Sequence, residues 1–337
     1  ADVELKTFTL IDQLTGRMMG VRADMTPQVA RIDAHSLRRN EPTRLCYIGS
    51  VLHTLPSGLS AQRSPIQVGA ELYGHSGVES EVEIISLMMA CLKLAGFPSV
   101  HVDVGHLGVY RALVQEAALT PDKEEVLFDA MQRKSKFDVT TLLDNARIPS
   151  HLAEMITALV DLNGDADVLL EARDCLHRAS DIVHQCLERL TEIAKLVALR
   201  ASGARVHFDL AELRGYRYEQ GVVFAAFVPG RGQEIARGGR YDGIGEAYGR
   251  ARAAVGFSTD LKSLVNLRNA GVRSNESAVM APNVADPKLV ELVGSLRESG
   301  ERVVWALPGQ QGSATDLGCD RVIERNGSDW KVVPVEK

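Results

Sequence analysis

Two short segments carry residues suited to holding an anionic or polar ligand: Arg214-Gly215-Tyr216-Arg217-Tyr218-Glu219 and Gly238-Gly239-Arg240-Tyr241-Asp242-Gly243. Closely spaced glycines let a backbone turn sharply and approach a ligand, while Arg and Tyr supply planar donors and polar rings. The same residues also suit a tight strand-to-helix turn whose Arg and Asp form a local salt bridge, and local sequence favours that plainer reading. A third group is Asp24, Thr26, Gln67 and Glu71. Gln67 and Glu71 lie four apart in a strand-like run, so both point to one face of a sheet. A glutamate on an inward face is costly unless it meets a cation or a donor, whereas a solvated face would make it ordinary. Both readings stand at this level.

The elements that must position these residues are legible in outline. Leu5–Ile11 and Met18–Arg22 read as a hairpin around Asp12 and Gly16. Thr26-Pro27 reads as an N-cap with Pro at the first helical position, opening a helix to about Leu37. Strands are predicted over Leu45–Leu52 and Ile66–Tyr73, with a loop at Leu55-Pro56-Ser57-Gly58. Val82, Ile85, Met88 or Met89, and Leu92 recur at helical spacing before Gly96 and Pro98, and Ser99–Val104 reads as a strand. From Leu107 to Leu199 helical patterns follow one another with almost no strand signal, as in an inserted all-helical domain. Strands return at Arg205–Leu210, Gly221–Val228 and Ala253–Phe257, and a helix follows from Thr259 to about Asn269. After a polar linker at 273–277, strand, helix and strand alternate to Leu307. The expected class is α+β: an antiparallel sheet with flanking helices, an all-helical insertion and a small C-terminal α/β unit. The expected boundaries are a core of 1–106 with 201–272, an insertion of 107–200 and a C-terminal domain of 273–337.

Composition narrows the function. The apolar fraction of 45% and charged fraction of 24% are those of an ordinary globular protein, and no apolar run approaches the roughly 20 residues of a membrane span. The formal net charge of −6 argues against a long nucleic-acid footprint, which phosphate neutralisation by Lys and Arg would demand. Five scattered cysteines make no zinc-spaced pairs and fit buried thiols in a reducing cytoplasm. The nine histidines do not pair at i, i+4 with a glutamate. No metal site and no cofactor are predicted, and neither a phosphate-binding G-K-[ST] loop nor a G-x-S-x-G nucleophile is present.

Taken in order, these segments resemble the class II histidyl-tRNA synthetase fold over most of the chain. Val21-Arg22-Ala23-Asp24-Met25-Thr26 is similar to that family's L-R-P-E-G-T segment, and Tyr47-Ile48-Gly49 through Gln67-Val68-Gly69-Ala70-Glu71 to its second class II motif. Arg214-Gly215-Tyr216-Arg217-Tyr218 and Ala236–Gly243 resemble the two histidine-specific motifs, and Ala254-Val255-Gly256-Phe257 to Leu264 stands at the third class II motif. The resemblance implies a histidine pocket lined by Asp24, Thr26, Gln67, Glu71, Arg214, Tyr218 and Tyr241, with Glu219 replacing a second pocket tyrosine. It also implies a loss. The arginines that hold the α- and γ-phosphates of ATP correspond here to His53 and Ser263. Each such contact is worth about 3 kcal/mol in a transition state. Asp260 replaces a glycine beside the polyphosphate position, and Arg63 alone matches a retained loop arginine.

A synthetase body without adenylation chemistry resembles the regulatory subunits of short-form ATP phosphoribosyltransferase. The phrases Arg22–His35 and Gly69-Ala70-Glu71-Leu72-Tyr73-Gly74 are close to that family's wording. The resemblance implies a chain with no catalysis of its own, a hetero-oligomer with a short catalytic chain, a homodimeric core, histidine as effector, and no tRNA or membrane partner. An active or degenerate histidyl-tRNA synthetase is the competing implication.

Overall fold

A computed structural model of the chain describes residues 7–55, 62–200, 205–216, 219–269 and 277–335. The chain divides into two compact units, Ala1–Val265 and Asn266–Lys337.

The first unit begins with a small hairpin, β1 (Thr9–Ile11) and β2 (Met18–Gly20); the predicted start at Leu5 and Lys6 lies outside the described residues. Helix α1 (Thr26–Arg31) runs directly into a π-helical turn, Ile32–Leu37, closed by Arg38 in the left-handed region at φ 49°. The helix opens at the expected place, but Thr26 is not its cap. Met25 holds that position and makes no side-chain cap bond, while the Thr26 hydroxyl donates to Glu71 instead.

The main sheet has eight strands among the described residues. They are β3 (Thr43–Ser50), β4 (Ile66–Tyr73), β5 (His101–His106), β6 (Asn163–Gly164), β7 (Arg205–Asp209), β8 (Val222–Phe227), β9 (Ala236–Arg240) and β10 (Ala254–Asp260), ordered β3-β4-β10-β9-β8-β5-β7-β6. Every neighbouring pair is antiparallel except β5 with β7. That one parallel pair needs a long crossover, and the helices between the two strands provide it. β8 is buried almost throughout and reads as a continuous apolar run, as a strand covered on both faces must.

Helix α2 (Val78–Leu94) buries Val82, Ile85, Met88 and Leu92, the stripe that its sequence spacing predicts, and the chain turns at Gly96 with φ +97°. The stretch after β5 is α3 (Leu107–Ala117), α4 (Pro121–Gln132), α5 (Lys136–Ala146), α6 (Ser150–Ala158), α7 (Val168–Cys175) and α8 (Asp181–Arg200). The long α8 buries Val183, Leu187, Leu190, Ile193 and Val197 on one face and packs on α2 and α3. The short β6 interrupts the helices and pairs with β7, a detail too brief to leave a sequence signal. Helix α9 (Leu261–Asn269) follows β10 without a break.

The second unit is a four-stranded sheet with β11 (Val279–Ala281), β12 (Val303–Trp305), β13 (Arg321–Asn326) and β14 (Asp329–Pro334), ordered β12-β11-β13-β14. Helix α10 (Pro287–Glu298) buries Leu289 and Val293 against Val279, Ala281, Val303 and Ile323. The β13–β14 hairpin extends the unit beyond the predicted strand ending at Leu307. Most of the 273–277 linker lies outside the described residues. Among the described residues, no helix is long and apolar enough to cross a membrane.

Candidate functional site

Side chains directly paired across a sheet share a face, so the registers place the candidates without ambiguity. One row crosses the main sheet as Tyr47, Gly69, Ser258, Arg237, Ala225, Asp103 and His207. Two residues further along β4, Glu71 begins the next row on the same face, followed by Gly256, Gly239 and Val223.

Glu71 is 1% exposed and is the polar centre of this floor. Its carboxyl accepts from the Tyr241 hydroxyl and, at 2.9 Å, from the Thr26 hydroxyl, which lies 3.4 Å from the Tyr47 oxygen. Gln67, on the same face, accepts from the Met25 backbone at 2.9 Å and so ties the start of α1 to β4. Asp24 accepts from the Thr26 backbone at 3.3 Å. The aromatic surroundings are Tyr47, Tyr73 and Tyr241, packed with Val29 and Ala30 of α1. Burial pushes Glu71 up to about 8, against the downward pull of the Tyr241 and Thr26 hydroxyls. Burial and the neighbouring Glu71 charge raise Tyr241 well above the ordinary phenol range. Gly256 is obligatory here, because a Cβ would run into the Tyr241 hydroxyl and the Glu71 carboxylate.

Beside this cluster is an open cavity of about 250 Å³, lined by His53, Gln67, Arg231, Glu234, Arg237, Asp260 and Ser263 among others. It unites His53 and Ser263, the positions where the resemblance implies lost phosphate contacts. Both side chains already bond within the protein, although His53 Nδ1 is buried without a hydrogen-bond partner. His53 Nε2 lies 2.9 Å from the Ala23 carbonyl, and the Ser263 hydroxyl donates to Asp260 at 2.6 Å. Asp260 also accepts from the Lys262 backbone at 3.2 Å and the Ile66 backbone at 3.0 Å. Its charge therefore caps α9 and fastens β10 to β4. Arg63 is engaged as well: its Nε donates to the His53 carbonyl at 3.2 Å and its guanidinium lies 5.1 Å from the Phe8 ring centre.

Arg214 is held away from the Glu71 cluster by carboxylates of its own, Glu212 at 2.9 Å and Glu234 at 3.3 Å, and lies over Phe227. It lines a second, smaller cleft with Glu219 and Arg237. Burial raises Glu219 to about 8, with Arg237 opposing. Tyr218 lies outside the described residues, as does Arg217.

The segment Gly238–Gly243 divides between the two readings of the sequence. Arg240 points to the opposite side, into a buried ion pair with Glu81 at 2.7 Å, and meets Asp242 at 3.0 Å, the local salt bridge of the plainer reading. Arg189 of α8 completes the pair through Glu81 at 2.8 Å. Tyr241, one residue on, belongs to the Glu71 cluster. The structure thus brings together Asp24, Thr26, Gln67, Glu71 and Tyr241, and separately His53 with Ser263. Sequence reasoning missed Tyr47, Glu234 and Arg237. Tyr47 was findable, because strand alternation through β3 sets it opposite Gly69.

Comparison with known proteins fits this geometry. Residues 1–264 match the family model described as histidyl-tRNA synthetase, and residues 276–333 match that of the ATP phosphoribosyltransferase subunit HisZ C-terminal domain. An ATP phosphoribosyltransferase regulatory subunit from Thioalkalivibrio sulfidiphilus is 51% identical over 333 residues, spanning 98% of this chain and 84% of the relative. The protein of the same name from Pseudomonas syringae pv. syringae is 53% identical over 336 residues, 99% of this chain and 85% of the relative. Among solved structures, an ATP phosphoribosyltransferase regulatory subunit/histidyl-tRNA synthetase from Bacillus halodurans superposes with a TM-score of 0.79 at 26% identity, covering 95% of this chain and 83% of that one. A Thermotoga maritima chain, from a structure titled as the ATP phosphoribosyl transferase (HisG:HisZ) complex, shares the fold at a TM-score of 0.59 and 19% identity, covering 75% and 85%. With half its residues identical to proteins of that name across almost its full length, the chain belongs to the ATP phosphoribosyltransferase regulatory subunits.

Proposed function

We propose that this chain acts as the non-catalytic partner of a short ATP phosphoribosyltransferase catalytic chain, in the first step of histidine biosynthesis, and that its synthetase-like pocket senses free histidine. The observation that carries the reading is the fate of the two phosphate positions. His53 and Ser263 face one cavity, yet each is bonded to the protein itself. A guanidinium offers a permanent, bidentate charge to phosphate, and neither an imidazole tied to a carbonyl nor a serine tied to a carboxylate replaces it. Adenylate formation loses its electrostatic support, while the polar floor of Asp24, Thr26, Gln67, Glu71 and Tyr241 remains.

A pocket that binds an effector without transforming it regulates only if the effector prefers one assembly state over another. Feedback inhibition by histidine follows if the inhibited assembly binds it more tightly. Arg214 would meet the histidine carboxylate only after exchanging one of its two carboxylate partners, so binding would rearrange Glu212 or Glu234. We assign the chain a homodimeric core, no tRNA partner and a cytoplasmic setting.

Reconstitution tests the proposal. Mixing this chain with a short-form catalytic chain should raise pyrophosphate release from ATP and phosphoribosyl pyrophosphate well above either chain alone, and histidine should suppress the gain. No gain at any ratio would refute the assignment. Histidine-dependent pyrophosphate exchange by this chain alone would favour the synthetase reading.

A further inference from the structure

The row of residues that contains Gly69 and Arg237 ends, four strands beyond β4, on a cluster that the histidine pocket does not use. Asp103 of β5 and His207 of β7 are direct partners in the parallel pair, and His101 lies two residues before Asp103 on the same face. At about 4.8 Å per strand the cluster is roughly 19 Å from the β4 floor. Its three candidate donor atoms all lie within 4.8 Å of one another. His101 Nε2 is 3.0 Å from the Asp103 carboxylate, His207 Nδ1 is 3.6 Å from the same oxygen, and the two rings are 5.5 Å apart.

We propose that His101, Asp103 and His207 form a binding site for a divalent transition metal of the zinc class. Donors about 2.0–2.1 Å from a tetrahedral ion lie roughly 3.3 Å apart, and the two observed nitrogen-to-oxygen separations bracket that value. His207 Nδ1 is buried without a hydrogen-bond partner, an orphan that a coordinate bond would satisfy. The His101 side chain is 43% exposed, so the remaining coordination position opens to water. Two imidazoles and one carboxylate select a borderline ion such as Zn²⁺ over Mg²⁺, which prefers an all-oxygen shell.

Placement gives the site a consequence. β5 leads into the helical stretch and β7 follows it, so an ion held by both strands would close that long crossover at its base. Ends held together across a long loop gain most from a clip. The sequence carries no metal pattern because the ligands come from strands on either side of that stretch.

Equilibrium dialysis and thermal denaturation of the full chain, first stripped with EDTA, test the proposal. One Zn²⁺ should bind per chain at micromolar concentration and raise the melting temperature by several degrees, while Mg²⁺ does neither. His101→Ala, Asp103→Asn and His207→Ala should each weaken binding at least about tenfold. His101→Ala, the most exposed of the three, keeps the test valid if His207→Ala fails to fold. Absence of Zn²⁺ binding at 100-fold excess over the chain would overturn the site. Undiminished binding by a folded His101→Ala variant, or equal stabilisation by Mg²⁺, would also overturn it.

Discussion

Glu71 has a carboxyl whose proton is held by burial, and that has a measurable signature. Because its folded value near 8 exceeds the ordinary 4.5, the folded chain binds this proton more tightly than the unfolded chain does. Its contribution to stability is therefore complete below about pH 4.5 and is lost as pH rises through about 8. Glu219, raised to about 8 by burial, acts in the same window and with the same sign. A tenfold difference in proton affinity between the folded and unfolded chain corresponds to about 1.4 kcal/mol, so a loss of a few kcal/mol is expected across that window. Glu71→Gln, which mimics the protonated group, should flatten the decline in denaturation midpoint between pH 5 and 8.5. An unchanged slope would mean that Glu71 is ionised throughout. At this scale the sequence was informative about side-chain direction: Gln67 and Glu71 do share a face. It was less informative about partners. Thr26 looks like a helix cap in isolation, and only the sheet, which sets Glu71 opposite it, reveals that its hydroxyl is used there.

Among the elements, β9 and α2 are joined by a buried ion pair. Glu81 is fully buried on α2, and it accepts from Arg240 at 2.7 Å and from Arg189 of α8 at 2.8 to 2.9 Å. Removing one partner of a buried pair strands the other, at a cost of about 3–5 kcal/mol. Arg240→Ala should lower the urea denaturation midpoint by that equivalent, and a loss below about 1 kcal/mol would mean that Arg189 compensates alone. Elements with strong periodicity, such as α2 and α8, were legible because one apolar stripe faces a core. The β13–β14 hairpin was passed over despite a readable mark. Gly327-Ser328 is the two-residue loop between Asn326 and its partner Asp329, and Gly327 has φ +65°, the backbone a tight turn with glycine at its first central position requires. The β5–β7 pairing had no local sign, because it depends on a crossover whose helices each look self-sufficient.

For the whole molecule, net charge bears on the choice of partner. A net charge of −6 gives little long-range attraction for a polyanion, and affinity for RNA rests mainly on phosphate neutralisation. Filter binding of bulk tRNA at 150 mM salt should show no saturable complex. A tight, steeply salt-dependent complex would point back to a synthetase-like role. Family membership and fold were accessible from the order of several short motifs, since their spacing must be right together. The bond between His53 and the Ala23 carbonyl was not accessible, because only the folded chain brings residues 30 apart together, whereas Ser263 and Asp260 stand three apart at the start of one helix.

The bond from the Ile66 backbone to Asp260 joins residues 194 apart in the chain, and the whole β4–β10 seam spans a comparable separation. On a ribosome working at about 5–20 residues per second, β4 must wait roughly 10–40 s for its neighbour. During that interval the strand that carries Gln67 and Glu71 has one unpaired edge, able to recruit strands from other nascent chains. The floor of the pocket therefore borders the seam of the main sheet that closes after the longest wait in synthesis.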